Sequence, residues 1–392
     1  MSDPIRVLHR VRTWLPRTQT WLYEQLRHLP RERIRSAVAA ERPEGDRTAF
    51  PWPELYLLFQ DSPLRWALEH LTFAVGLRPY WPFVVEQAKR LRAQLLHGHF
   101  GDVAWEDHRA AAALGLPLVV SFYGRDVGWL PRRDARWYAR YRALFAQAAL
   151  VLCEGPHMAA RIAELGCPPR KIRVHHLGVS LERLPFAPRR WHPGQPLRVL
   201  IAASFREKKG IPYALEALGL LQREVPLEIT LVGGADGSWR SQRERLRIER
   251  VIRRYGLGRI MRRPGFLSHR ALLEEAYRHH VFLAPSVTAH DGDSEGGAPV
   301  VLIEMAATGM PVVSTWHADI PEVIVAGETG LLAPERDPEA LAEQIRWLLR
   351  HPERWEAIAR AARARIEAEF NAIKQGRRLA ELYVSLAQAG SV

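Results

Sequence analysis

From Leu197 onward, short β-rich apolar runs alternate with segments whose apolar positions recur every three or four residues. "LRVLIAAS", "LEITLVGG", "IMRRPGF", "VFLAPS", "PVVST" and "TGLLAP" read as strands. "IPYALEALGLLQRE", Gln242 to Tyr255, "HRALLEEAYRHH" and the run after Gly297 read as helices between them. Strands alternating with helices of this length predict parallel βαβ units with helices on both faces of a sheet. The first half repeats the grammar more loosely: "IRVLH", a helix near Thr18 to Leu29, "PLVVSFYG", a helix over Arg132 to Ala149, "LVLCEG", a helix to Leu165, and "KIRVHHLGV". Thr48 to Tyr80 carry many aromatics and prolines without clear period, and no element is assigned there. Between the halves, "ERLPFAPRRWHPGQP" is rich in Pro and Arg without apolar period and reads as a linker. Two helical patterns close the chain. The expected domains are 1–190, 191–370, and a closing helix over 371–392 that packs back towards the first.

Composition narrows the class. With 392 residues, 47% apolar and 25% charged, the chain suits two globular domains. Cys153 and Cys167 are its only cysteines, which fits a reducing compartment and no disulfide framework. The start "MSDPIRVLHRVRTW" lacks the apolar core of a signal peptide. The longest apolar stretch, Ala110 to Val120, falls well short of the roughly 20 residues of a spanning helix. A cytoplasmic protein is expected. Its net charge of +13 calls for an anionic partner: nucleic acid, a phosphate-bearing substrate or an acidic bilayer. Among 56 basic residues only Lys89, Lys171, Lys208, Lys209 and Lys374 are lysines, so the pair in "REKKG" marks a place where a compact ammonium is wanted, unless it is a solvated strand-to-helix turn.

The stretch "HDGDSEGGAPVVLIEMAATGMPVVST", His290 to Thr315, reads as a loop followed by a helix with Pro299 in its first turn and Gly309 at its end. Gly296 and Gly297 then sit where a helix N-terminus presents free N–H groups to an anion; a tight loop needing positive φ would use them equally well. Asp291 and Asp293 could bridge a divalent ion and a diphosphate, but turn formation is the stronger reading. Glu304 interrupts an otherwise apolar helix, and a buried carboxylate requires a partner or a ligand; an exposed face or a core salt bridge would also accommodate it.

Together, "EGGAPVVLIEMAATGMPVVST", "ADIPEVIVAGETGLLAP", "VFLAPS" and "ASFREKKG", with "HGHFG", "VVSFYGRDV" and "KIRVHHLGV" upstream, resemble the retaining, nucleotide-sugar-dependent glycosyltransferases of family four. The resemblance covers most of Leu96 to Pro334, and "DGDSEGGAPVVLIE" is most similar to members that build bacterial exopolysaccharides such as colanic acid. It implies a GT-B fold, two Rossmann-like doubly wound domains facing across a cleft. It also implies transfer without a metal or other cofactor, from a UDP- or GDP-linked sugar to a saccharide or lipid-linked saccharide.

The resemblance assigns Glu304 to the ribose hydroxyls, Glu295 to the donor sugar, the backbone of Gly296, Gly297 and Ala298 to the diphosphate or sugar, and Lys209 to the diphosphate. His99 matches a recurrent position. Three departures stand out. Eight residues separate Glu295 from Glu304 where the family has seven; an extra residue inside the helix would rotate Glu304 by about 100°, so the insertion belongs in the Gly296–Gly297 loop. The family's diphosphate-binding Arg falls on Ser204, with Arg206 two residues later as the substitute. In "SFYGRDV", Tyr123 replaces the family's His, while Asp126 matches the family's Asp and could equally cap a loop or helix. A phenol, with an ordinary pKa of about 10, is a poor base at neutral pH.

On the acceptor side, "RRDARWYARYRALFAQAAL" aligns Arg132, Arg136 and Arg140 on one helical row and Trp137, Tyr141, Leu144 and Ala148 on another. Such a helix can lie on an anionic membrane as a peripheral anchor at the inner face of the cell membrane, but ordinary inward packing of the aromatic row is the favoured reading. "HRVRTWLPRTQTWLYEQLR" offers a similar basic, Trp-containing surface. Two rivals remain: a catalytically degenerate scaffold, and a nucleic-acid-binding protein. Dispersed arginines and the lack of zinc spacing or an RNA-recognition motif count against the second.

Overall fold

The computed structural model describes residues 3–16, 19–44 and 50–389. It divides into two compact units, at Val179/Ser180 and again at Phe370/Asn371.

The first unit holds a seven-stranded parallel sheet: β1 (Ile5–Trp14), β2 (Ile34–Pro43), β3 (Leu55–Leu57), β4 (Leu95–His99), β5 (Leu118–Ser121), β6 (Leu150–Cys153) and β7 (Ile172–Val174), in the order β3-β2-β1-β4-β5-β6-β7. The strands β4, β5 and β6 are wholly buried, as expected where helices cover both faces. The expected helix near Thr18 runs Thr20–Arg27; Thr18, like Thr48, lies outside the described residues. The single helix expected over Arg132 to Ala149 is two, Arg125–Arg133 and Arg136–Gln147. Asp134 breaks it: its backbone is extended (φ −143°, ψ 103°) and its carboxylate accepts the Arg136 N–H at 3.1 Å. Trp137, Tyr141, Leu144 and Ala148 all point into the core, so this helix packs its aromatic row inward.

The second unit holds a six-stranded parallel sheet: β8 (Leu197–Ala202), β9 (Leu227–Val232), β10 (Met261–Gly265), β11 (Val281–Ala284), β12 (Val312–Thr315) and β13 (Leu331–Ala333), in the order β10-β9-β8-β11-β12-β13. Each sheet is doubly wound. Chain direction across the sheet reverses between β1 and β4 in the first and between β8 and β11 in the second, and ligands of open α/β sheets bind outside the strand ends at such points.

The domain break expected at 190/191 falls earlier, for a visible reason. The supposed linker is stitched into the second unit: Ala187 N–H donates to Thr308 O (2.9 Å), Arg189 N–H to Gly309 O (3.1 Å), and the Arg189 guanidinium to Thr308 O (2.9 Å). Trp191 is buried in that unit's core. A lack of apolar period therefore hid a segment held by hydrogen bonds. The closing helix, Ala372–Ala389, belongs to the first unit, where it packs on β1, β4 and the helix Thr20–Arg27.

No helix among the described residues is long and apolar enough to cross a membrane.

Candidate functional site

In the second unit, chemistry gathers at the β8/β11 switch point. The turn after β8 carries Lys208 and Lys209 in a short 3₁₀ segment, Glu207–Lys209, ended by Gly210 at φ 62°. A Cβ at Gly210 would stand 1.8 Å from Pro285 O, so only glycine lets this turn lie against the loop leaving β11. The Val287 N–H donates to Lys208 O at 2.8 Å and fastens the two.

Across that junction the Lys209 ammonium lies 2.7 Å from Glu295 Oε1, and Lys208 donates to Asp293 Oδ1 (3.1 Å) and Ser294 O (3.0 Å). Burial alone would raise the Glu295 pKa; Lys209 and Lys208 overcome it and bring it down to about 2. Burial lowers the Lys208 pKa, and Glu295 and Asp293 more than reverse that. Both groups are therefore charged at neutral pH. His317, after β12, supports the acid: its Nε2 accepts the Glu295 N–H (3.1 Å) while Nδ1 donates to Glu335 Oε1 (2.6 Å), which fixes the tautomer.

The helix after the glycines spans Val300–Ala307. Gly296 and Gly297 are buried and Ala298 half-buried, and no described residue accepts from their three N–H groups. The positive φ of this loop falls at Gly292 (82°), so conformational freedom is not what Gly296 and Gly297 supply. Glu304, half-buried, meets His269 Nε2 at 2.7 Å. The two acids of "DGD" face different cations: Asp291 meets Arg240 at 2.6 Å and Asp293 meets Lys208, while Asp291 Oδ1 also accepts the Asp293 N–H. That is the turn-forming role. Arg206 is 2.5 Å from Asp236, in the loop after β9, and half-buried Ser204 gives its carbonyl to the Arg206 N–H (2.8 Å). The structure thus brings Lys209 and Glu295 together and draws Arg206 aside.

In the first unit, Tyr123 and His99 stand at the ends of neighbouring strands, with Tyr123 OH 2.7 Å from His99 Nδ1. The Trp21 ring covers Tyr123, centroids 4.4 Å apart. Asp126 accepts the Tyr123 N–H (3.1 Å) and the Gly101 N–H (2.8 Å), so it clamps the loops after β4 and β5; burial holds its pKa up at about 6 despite those bonds. His99 is fully buried.

Spacing along the chain gave no metal set among the histidines, yet the fold places His9 beside His97 and His99 with ring nitrogens within 4.8 Å. All six ring nitrogens are engaged. His9 Nδ1 meets His99 Nε2 (3.1 Å), His9 Nε2 meets Ser36 (3.3 Å), and His97 meets Tyr383 OH (2.6 Å) and Ser121 (2.8 Å), leaving His99 Nδ1 to Tyr123. Burial lowers all three pKa values, so the rings are neutral, with His9 and His99 bonded to each other and His97 held separately by Tyr383 and Ser121. His176 Nδ1 is 2.7 Å from Glu154 O, and His175 Nε2 is buried with no hydrogen-bond partner among the described residues.

Sequence reasoning missed His317, His269 and His9. For His317 and His269 only proximity to a strand end or helix start could have signalled them; His9 pairs with a residue 90 positions away and carries no local signal.

Two doubly wound parallel sheets in one chain are the architecture of the GT-B fold. The sequence matches the families "Glycosyltransferase Family 4" over residues 18–183 and "Glycosyl transferases group 1" over residues 187–365. It is 36% identical over 298 residues to WcaL of Salmonella typhimurium, named as a colanic acid biosynthesis glycosyltransferase, covering 74% of this chain and 70% of that one. The amylovoran biosynthesis glycosyltransferase AmsK of Erwinia amylovora is also 36% identical, over 63% of this chain and 59% of its own. Among solved structures, Anabaena HepE in complex with UDP and glucose superposes with a TM-score of 0.75 at 17% identity, covering 97% of this chain and 100% of that one. The chain belongs to the group 1, family 4 glycosyltransferases and is a glycosyltransferase.

Proposed function

We propose that the protein transfers a sugar, with retention of anomeric configuration and without a metal, from a nucleoside-diphosphate sugar to a saccharide or lipid-linked saccharide during exopolysaccharide synthesis. The observation that carries this reading is the arrangement of Lys209, Glu295 and three uncommitted N–H groups, Gly296 to Ala298, around one switch point. A departing diphosphate develops negative charge. A fixed ammonium and the start of the Val300–Ala307 helix would stabilise that charge without proton transfer. Glu295 orients the sugar and Glu304 holds the ribose, its partner His269 giving way.

Retention fits a step in which the leaving diphosphate assists deprotonation of the acceptor as its hydroxyl attacks from the same face. The phenol of Tyr123, pushed well above its ordinary pKa by burial, then serves as a hydrogen-bond donor to the sugar. Relatives named for colanic acid and amylovoran synthesis, and HepE with its UDP and glucose, support a polysaccharide product and a UDP-linked donor, with GDP as the other candidate. In this proposal the reaction takes place in the cytoplasm, with the enzyme peripheral at an anionic membrane face.

Calorimetry against UDP, GDP, ADP and their sugars, with EDTA present, tests this. Tight binding of one nucleotide that weakens in both Lys209→Ala and Glu304→Ala is expected. No binding to folded wild type under those conditions would sink the reading.

A further inference from the structure

The helix Pro63–Ala74 has two apolar faces, and only one of them is covered. Trp66 and Phe73 pack on the core of the first unit. Polar anchors fix that rotation: Trp66 Nε1 and His70 Nε2 lie 3.3 and 3.1 Å from Glu41 Oε2, and buried Glu69 accepts the Phe83 N–H at 3.1 Å. On the opposite side Leu64, Leu68, Leu71 and Val75, at i, i+4, i+7 and i+11, are 83%, 58%, 61% and 59% exposed. They form a stripe along a helix of roughly 18 Å. Leu77, just beyond the helix, is 76% exposed as well. A surface helix normally presents polar side chains there, and a contiguous apolar strip marks an interaction site.

Its surroundings are basic. Arg78 lies three residues past Val75, and Lys89 and Arg90 in the last turn of the neighbouring helix Pro82–Leu91, with Arg92 just beyond it, add to the charge; that helix is joined to this one through Arg65–Glu86 at 2.8 Å. All four are exposed and none is ion-paired with a described carboxylate, while Glu86 is bound by Arg65 and Glu41 and Glu69 are buried beneath the helix. Glu41 lies near the end of β2, so the helix lies over the carboxyl edge of the sheet, the edge that also carries His99 and Tyr123.

We infer that this stripe seats the enzyme on an anionic lipid bilayer, lying in the interfacial plane with its leucines immersed. Two facts select the bilayer over a second copy of the chain. A net charge of +13 opposes self-association and favours an anionic surface. The helical stripe itself is aliphatic and lacks the Trp, Tyr or Arg anchors that concentrate energy in protein interfaces. The inference rests on the proposed function only for its purpose, which is to bring a lipid-linked acceptor to the site.

The test is co-sedimentation of the full chain with phosphatidylcholine vesicles, with and without phosphatidylglycerol, for wild type, Leu68→Glu/Leu71→Glu and Lys89→Ser/Arg90→Ser. Wild type should partition onto the anionic vesicles alone. The leucine pair should lower partitioning by at least about tenfold and the charge pair by less, with thermal transitions and donor binding unchanged. Wild type left in the supernatant at low salt, or a leucine variant that still binds, overturns the inference. So does a dimer in ultracentrifugation that the leucine variant dissolves while vesicles bind neither protein. Donor calorimetry separates the two readings: vesicle binding without donor binding supports this inference and removes the proposed function.

Discussion

The Lys209 ammonium and Glu295 Oε1, 2.7 Å apart, join the turn after β8 to the loop after β11. The neighbouring Lys208 is committed to Asp293 and a backbone carbonyl, so the two lysines of one dipeptide have different roles. In the proposed reaction Lys209 is the one that exchanges its carboxylate for a diphosphate. Replacing it with Met should lower kcat/KM for sugar transfer by about 10²–10³, the cost of losing one preorganised charge at a developing anion. Lys208→Met should act mainly on stability. Equal losses of kcat/KM in the two variants, with both proteins folded, would refute the distinction.

The same pair sets a pH dependence. Burial raises the Glu295 pKa and the two lysines reverse this, leaving it at about 2 against an ordinary 4.5. A depressed carboxylate contributes stability that is complete above its unfolded pKa and disappears as pH falls through its folded one. That contribution is on the order of 3 kcal/mol. In urea titrations the stability advantage of wild type over Glu295→Gln should therefore shrink as pH falls from about 5 to about 3. A constant difference over that window would mean that the lysines do not hold the charge.

Tyr123 occupies the place of a family histidine and is bound to a histidine instead, His99 Nδ1 at 2.7 Å. With its pKa raised by burial, the phenol does not ionise near neutrality. Removing the hydroxyl in Tyr123→Phe should reduce kcat/KM by about tenfold, as for one lost hydrogen bond of about 1.5 kcal/mol. The pH–rate profile between pH 6 and pH 9 should keep its shape. A basic limb present in wild type and missing in the variant would show Tyr123 acting as an acid or base.

The alternation of apolar runs in the second half was enough to place all six strands of the second sheet, because β8 to β13 are short, aliphatic and separated by helices with clear period. The positions of Lys209, Glu295 and Glu304 in the fold were legible for the same reason: each lies beyond a strand end or in the helix that follows. In the first unit, β2 ("IRSAVAAERP") is alanine-rich and β4 ("LLHGH") holds two histidines and a glycine, so neither carries a strand's usual side chains. Their pairing with β1 supplies what propensity lacks. The helix Pro63–Ala74 showed no period because apolar residues occupy both its faces. Arg206 is paired with Asp236 from another loop, a contact that no local sequence pattern announces.

Gly210 offers a way to separate backbone geometry from charge at the switch point. Its φ is 62°, and a Cβ would stand 1.8 Å from Pro285 O, while Gly194, at φ 90°, has open space around the same position. Alanine at either site costs about 1–2 kcal/mol for the left-handed backbone. Only at Gly210 does it also force the turn carrying Lys208 and Lys209 away from the β11 loop. Gly210→Ala should thus lose several kcal/mol more than Gly194→Ala in urea unfolding, by the overpacking that a rigid carbonyl cannot relieve. Donor affinity in calorimetry should fall with it, since the Lys209–Glu295 geometry depends on that contact. If the two alanine variants prove equally stable and bind donor alike, the close approach of the two loops does not hold the site together.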